Sequence, residues 1–215
     1  MIPLFHDFTD ETVLVFGGGP VGARKARRFA REASVIVVSP TFAEDGYGEV
    51  QRVRAAPAPS DIETWIERAE PALVVAATND PAVNDAIESS ARSRGILCNR
   101  ADRAGERDVG SVVVPATVRD GDVTVAISTG GRSPALSKEL RKRIEREIQG
   151  ADELAELTAE IRDRLKAADV DAAARREAIT RVAQSSDVWK DLGRGNSNPR
   201  QTADAVVEAA LGDRT

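Results

Sequence analysis

The run Val13-Leu14-Val15-Phe16, followed at once by Gly17-Gly18-Gly19-Pro20-Val21-Gly22, constrains this chain more than any other stretch. Four apolar residues, two of them β-branched, predict a buried strand. Val21, Ala23, Ala26, Phe29 and Ala30 then recur at helical spacing, which predicts a helix from Pro20 to Arg31. Gly17, Gly19 and Gly22 complete G-x-G-x-x-G between strand and helix, the context in which the pattern has meaning. Gly17 permits a tight turn, Gly19 lets a pyrophosphate approach the backbone, and Gly22 lets helix and strand pack closely. After Pro20, which has no N–H, the amides at the helix start, from Val21 on, then face the phosphates along the helix dipole.

The chain up to residue 102 repeats this alternation. Val35 to Val38 read as a second strand, buried on both faces and ending at Ser39-Pro40-Thr41. A dinucleotide site ordinarily carries an acid there for the ribose hydroxyls. Ser39, Pro40 and Thr41 offer a hydroxyl and backbone groups instead. Gln51 to Ala55 predict a short third strand, and a helix with Trp65 and Ile66 follows, with Ser60 or Asp61 as its cap. Leu73 to Ala77 form a fourth strand ending in Thr78-Asn79-Asp80-Pro81, polar residues where a parallel sheet presents its ligands. A helix from Ala82 to Arg94 stops at Gly95, and Ile96 to Asn99 make a fifth strand. The order implies an α/β, Rossmann-like, doubly wound parallel sheet. Ile2, Leu4, Phe5 and Phe8 are expected to cover its edge.

Beyond residue 110 the pattern changes. Ser111 to Val118 and Val123 to Ser128 are β-rich and joined through an Asp-Gly pair, a hairpin signal foreign to a doubly wound unit. A basic helix from Ala135 to Ile148 follows, and then alanine-rich helix with Leu154, Leu157, Ile161 and Leu165 on one face. One more small helix is expected after Pro199. We therefore expect a dinucleotide-binding domain over 1–112, a small α+β hairpin-plus-helix region over 113–148, and a helical domain over 149–215.

Charge narrows the partners. Thirty basic and 35 acidic residues give a net charge of −5, which argues against nucleic acid. Residues 100–146 alone run basic, ten against seven, with Arg100, Arg103, Arg107, Arg119, Arg132, Lys138, Arg141, Lys142 and Arg143 among the ten. That local excess suits a small polyanion or a solvated helix face. The opening residues lack a signal peptide's regions and no apolar run reaches membrane length, so a cytoplasmic protein off the membrane is expected. One histidine, His6, and one cysteine, Cys98, cannot build a usual zinc site. Cys98 reads as a strand-end core residue. Tyr47 has Gln51 four residues on, which excludes the Tyr-x-x-x-Lys pair of short-chain reductases.

Three ordered motifs resemble the precorrin-2 dehydrogenase family, the dehydrogenase–chelatase part of siroheme synthases. They are Ile2-Pro3-Leu4-Phe5 with the glycine loop and Arg24-Lys25-Ala26-Arg27, then Ala76 to Asn84, and Ala126-Ile127-Ser128-Thr129-Gly130-Gly131-Arg132-Ser133-Pro134-Ala135-Leu136. The resemblance covers residues 1 to 146 well and the helical tail loosely. It implies NAD-dependent oxidation of precorrin-2, an octacarboxylate, to sirohydrochlorin, with insertion of Fe2+ as a second activity of some members. It also implies an intertwined homodimer with its interface in the hairpin region. NAD would lie on Gly17, Gly19, Pro20, Val21, Gly22, Ser39, Pro40, Thr41, Thr78 and Asn79. Asp102 matches the family's general acid/base, and Arg100, Ser128, Thr129, Gly130, Arg132 and Ser133 fall where the tetrapyrrole binds. Arg100 and Arg103 flank Asp102 and favour its ionised form. The segment from Asp102 to Pro115 is longer than the family pattern, so residues 103–110 receive no individual roles. The chain ends at Thr215 without the methyltransferase domains of the fused enzymes, so a free-standing form is expected.

A different class, a nucleotide-sensing module that gates a partner, shares the sheet. Such modules usually keep an acid after the second strand and have no use for the Ser128–Pro134 turn.

Overall fold

Strand β1 (Thr12–Phe16) sits at the middle of the first sheet because both of its faces are apolar. Val13 and Val15 point to one side, Leu14 and Phe16 to the other, and all four are fully buried. In the computed structural model, which describes residues 2–44, 46–103, 111–192 and 198–212, the chain divides into two compact units, 1–114 and 115–215.

The first unit is a five-stranded parallel sheet of order β3-β2-β1-β4-β5, with β2 at Ser34–Ser39, β3 at Gln51–Arg54, β4 at Leu73–Ala76 and β5 at Leu97–Arg100. Helix α1 (Pro20–Phe29) lays Ala23 and Ala26 on Val13, Val15, Val35, Val37, Leu73 and Val75. Helices α2 (Ile62–Ala69) and α3 (Pro81–Ser93) bring Ile62, Ile66, Val83 and Ile87 onto Leu14, Phe16, Val38, Val74 and Ala76 on the opposite face. Helices on both faces of a parallel sheet make the doubly wound fold expected from the alternation. Each of the valine, leucine, isoleucine and phenylalanine side chains among them contributes roughly 1.5–3 kcal/mol when fully buried.

Local chemistry sets the ends of these helices. Asp80 caps α3, its carboxylate accepting from the amides of Ala82 (2.8 Å) and Val83 (3.4 Å), and Pro81 occupies the first turn, where no N–H is needed. Neither Ser60 nor Asp61 caps α2. Residues Pro59–Asp61 form a 3-10 turn, and Asp61 reaches back instead to the amide of Ala58 at 2.9 Å.

Two expectations for this unit are corrected. Ile2, Leu4 and Phe5 do not cover the sheet edge but are strongly exposed; Phe8 alone of that group packs inward, edge-on to Phe29. Ser111 to Pro115 are not part of the hairpin. Ser111 bridges Cys98 in parallel, and the amide of Val112 donates to the Cys98 carbonyl at 2.8 Å, so Ser111 and Val112 lie along the edge beyond β5.

In the second unit β6 (Ala116–Asp120) and β7 (Val123–Ile127) form an antiparallel hairpin. Its two-residue turn has Gly121 at φ +52°, a left-handed conformation that glycine tolerates. Asp152 pins that turn by accepting from the Asp122 amide at 2.7 Å. Helix α4 (Pro134–Glu147) has no buried residue. Helices α5 (Ala151–Ala167), α6 (Ala172–Gln184), α7 (Ser186–Leu192) and α8 (Pro199–Gly212) enclose Leu154, Leu157, Ile161, Leu165, Val182 and Val207. Among the described residues no helix is long and apolar enough to cross a membrane.

Candidate active site

The glycine loop closes the carboxyl end of β1. Gly17 has φ +116°, and a Cβ there would overlap the Ala77 carbonyl oxygen just after β4. At Gly22 a Cβ would overlap the Gly17 carbonyl, so helix and loop touch backbone to backbone. Gly19 is different: its missing Cβ faces open space, with no atom within 4 Å. No side chain caps α1 and no acid lies in its first turn. The loop therefore presents uncapped amides beneath a free approach, which fits a pyrophosphate.

Gly18, outside the G-x-G-x-x-G pattern, ties the loop to the end of β2. A Cβ there would press on the Ser39 side chain at 2.8 Å and overlap the Thr41 carbonyl, so the loop lies directly on the end of β2. Its carbonyl accepts from the Ala43 amide at 2.7 Å and from the hydroxyl of buried Tyr47. Ser39, Pro40 and Thr41 thus adjoin the loop, with Ser39 buried and the Pro40 carbonyl accepting from Arg54 at 3.3 Å. None of the three is acidic.

At the end of β4 the Thr78 turn is locked by Asn84 of α3. The Asn84 oxygen accepts from the Thr78 amide (3.2 Å) and hydroxyl (2.8 Å), and its nitrogen donates to the Thr78 carbonyl (3.0 Å). Asn79, next in the turn, is exposed. Asn84 closes the Ala76–Asn84 motif, and its further signal is a polar residue on the inward face of a helix whose neighbours Val83 and Ile87 are core.

Strand β5 runs to Arg100, one residue beyond the sequence expectation, and places Asp102 just past its carboxyl end. Arg100 forks onto that carboxylate, Nε to Oδ1 at 2.9 Å and Nη2 to Oδ2 at 2.7 Å. Its third nitrogen reaches Asp85 (2.7 Å) and Glu88 (2.9 Å) of α3. Arg103 also contacts Asp85, at 3.0 Å. The hydrogen bonds from Arg100 hold the Asp102 carboxyl down at about 2, against partial burial, which raises it; the nearby Asn84 amide adds to the lowering. The same carboxylates push the Arg100 guanidinium further above its ordinary value. Arg100 was expected among the cations for the tetrapyrrole, yet its side chain is 4 % exposed and its donors are taken by three acids of the protein. Four of its five N–H groups are committed in this way to Asp102, Asp85 and Glu88. Thr78, Asn84, Arg100 and Asp102 come together because Ala76 and Arg100 are register partners at the ends of β4 and β5.

Asn99, on the other face of β5, donates to the Val112 carbonyl at 2.7 Å, which ties down the segment at the sheet edge. Cys98 faces the core, and burial pushes its thiol up to about 11, so it is inert at neutral pH. A cavity of about 180 Å³ lined by Glu88, Arg92, Leu97, Cys98 and Ser111 lies toward the start of β5, away from the glycine loop. Arg107, one of the cations of the basic stretch, and Asp108 lie outside the described residues.

In the second unit the turn between β7 and α4 is built by its own hydroxyls. Gly130 and Gly131 have φ of +63° and +80°. Ser128 accepts from the Gly130 amide at 3.3 Å, Thr129 donates to the Ser133 carbonyl at 3.1 Å, and Ser133 caps α4 through the Leu136 amide at 3.2 Å. Arg132 is exposed on this turn. Much of the basic excess is neutralised locally, Arg141 by Glu145 and Arg143 by Glu139. Arg132, Lys138 and Lys142 have no carboxylate partner among the described residues.

Residues 4–116 match a family model described as putative NAD(P)-binding, and residues 120–147 one described as sirohaem biosynthesis protein central. The chain is 32 % identical over 219 residues to the precorrin-2 dehydrogenase of Methanosarcina barkeri, covering 98 % of this chain and 95 % of the relative. It is 33 % identical to the siroheme synthase of Pseudomonas entomophila over 97 % of its own length, but spans 42 % of that protein. The solved structure of SirC, precorrin-2 dehydrogenase, superposes with a TM-score of 0.67 at 23 % identity, covering 97 % of this chain and 100 % of the other, which shows a shared fold.

Proposed function

Since the chain belongs to the precorrin-2 dehydrogenase and siroheme synthase family, we propose that it oxidises precorrin-2 to sirohydrochlorin with NAD in siroheme biosynthesis. The observation that carries this reading is the carboxylate of Asp102, oriented by Arg100 beside the Thr78 turn and next to a glycine loop open to a dinucleotide. NAD supplies the hydride acceptor when bound. Gly17, Gly19, Pro20, Val21 and Gly22 hold its pyrophosphate, Ser39, Pro40 and Thr41 its adenosine ribose, and the turn of Thr78 and Asn79 its other half. Asp102 takes the ring proton released as the macrocycle is oxidised, the work of a general base. The substrate's carboxylates are received by Arg132 and the backbone and hydroxyls of Ser128, Thr129, Gly130 and Ser133. Fe2+ insertion is a second activity of the same site, with Asp102 receiving the pyrrole protons.

The working unit is a homodimer built on residues 111–148, in the cytoplasm. The hairpin β6–β7 has two strands and hence two open edges, and α4 buries no residue within its own subunit. A second copy removes both liabilities.

Anaerobic incubation of the protein with precorrin-2 and NAD tests the reading directly. NADH absorbance should rise with sirohydrochlorin, and Fe2+ added to the same reaction should then give siroheme. Tight NAD binding without NADH formation would favour the sensing module instead. Turnover that stops at sirohydrochlorin would confine the protein to dehydrogenation.

A further inference from the structure

We propose that Arg100 is the positioning residue of this reaction: it acts through Asp102, fixing its carboxylate in one plane and keeping it ionised through the acid range. The inference rests on Asp102 being the group that receives the proton.

Geometry carries it. Arg100 is a buried cation, and a buried guanidinium is tolerated only when its donors are met. It divides those donors between two structures. Nη1 is anchored on α3, to Asp85 and to Glu88, whose side chain is 12 % exposed. Nε and Nη2 are both given to Asp102, whose side chain is 28 % exposed. The residue is thus a splint from α3 to the loop after β5. The planar fork sets the plane of the carboxylate in a way that a lysine's single ammonium cannot. The carboxylate so held is still partly exposed, which leaves it within reach of a substrate proton.

The charged groups around Asp102 among the described residues are Arg100 on β5, Arg103 on its own loop, and Asp85, Glu88 and Arg92 on α3. Two of the three acids share the other arm of Arg100, and Arg103 reaches both of them, so the fork onto Asp102 is not neutralised away. A carboxylate held in this way is a weak base. It suits a proton that is itself strongly acidic, such as one on a macrocycle that has just lost two electrons. In that step a ring C–H or N–H bond breaks, its electron pair stays in the macrocycle, the proton forms an O–H bond on Asp102, and water then removes it. Because Asp102 stays ionised, the rate of this step should not fall as the pH drops toward the ordinary carboxylate range.

The test is the pH profile of NADH formation by the intact enzyme, run anaerobically. Arg100→Met is compared with Arg100→Lys, Asp102→Asn and the double variant Arg100→Met/Glu88→Gln, which removes the buried pair together. The wild type should be level from pH 8 down to about pH 4. Loss of Arg100 should bring an acid limb up to about pH 4–5, near an unperturbed carboxylate, with NAD affinity within twofold. Arg100→Lys should fall between the two. A merely structural role would lower the rate equally at every pH. A folded variant with the wild-type profile overturns the inference. Should neither Met variant fold, carboxyl carbon NMR titration of wild-type Asp102 decides it: ionisation persisting to about pH 3 supports the splint, and a midpoint at an unperturbed value near 4 overturns it. The underlying reading fails separately, if Asp102→Asn turns over at the wild-type rate; if Asp102→Asn is slow while the Arg100 variants keep the wild-type profile, only the splint falls.

Discussion

Asp102 shows how much one residue's chemistry depends on a neighbour two positions away. Its carboxyl sits at about 2 instead of an ordinary 3.8, first through hydrogen bonds from Arg100. A group whose folded value is depressed stabilises the fold above its unfolded value. That contribution is lost as pH falls through the folded value. For Asp102 the stabilisation is complete above about pH 5, erodes below about pH 4 and is gone near pH 2, about 2 kcal/mol in all. Acid unfolding followed by circular dichroism should show the wild type losing this much between pH 5 and pH 2. Asp102→Asn, which cannot titrate, should show a shallower loss over that window. An identical slope for both proteins would mean that the fork is not made in solution.

The glycine loop is the element in which fold and binding separate cleanly. Gly17 and Gly22 are needed by the fold, because a Cβ at either overlaps backbone that cannot move aside. Gly19 is needed only by what approaches it, since its Cβ would meet nothing. Gly19→Val should therefore keep the melting temperature within a few degrees and weaken NAD binding by at least ~10-fold, a cost of about 1.4 kcal/mol or more. Gly22→Ala should destabilise the unit by roughly 1–3 kcal/mol, the usual range for overpacking a tight contact. Calorimetric titration with NAD and thermal melts of the two variants separate these outcomes. Wild-type affinity in Gly19→Val would move the pyrophosphate off the loop. The Thr78 turn follows the same logic, because Asn84 occupies its amide, carbonyl and hydroxyl and leaves Asn79 as the group that a ligand can reach.

For the whole molecule the unbalanced part is the hairpin with α4. A two-stranded ribbon is marginal by itself, and here its inward residues Val118 and Ile127 are the buried apolar positions. Leu136 on α4 is exposed. Sedimentation across a dilution series from micromolar to nanomolar should give twice the chain mass at the upper end. Replacing Leu136 with Glu should shift the midpoint to higher concentration without unfolding the sheet of the first unit. A monomer at every concentration would remove the dimer from the proposed function.

The sequence by itself determined the doubly wound unit, the glycine loop and the hairpin. These are written in patterns shorter than about 20 residues, such as strands apolar on both faces, glycines at fixed offsets and an Asp-Gly turn. It also placed Asp102 at a strand end, since the order of elements in a parallel sheet brings such ends together. Tertiary structure alone decided what Arg100 is for. Read along the chain it is one arginine in a basic stretch; folded, it is buried against acids 12 and 15 residues upstream on α3. Desolvation, which makes those pairings obligatory, does not exist until the helix packs on the sheet. The same holds for Ser111 and Val112, which open a β-branched run equally suited to a hairpin or a sheet edge, and which the Asn99 amide and the Cys98 backbone claim for the edge. Ile2, Leu4 and Phe5 have the composition of a cover, but hydrophobicity is a property of residues, and burial requires a surface that they do not reach within their own subunit.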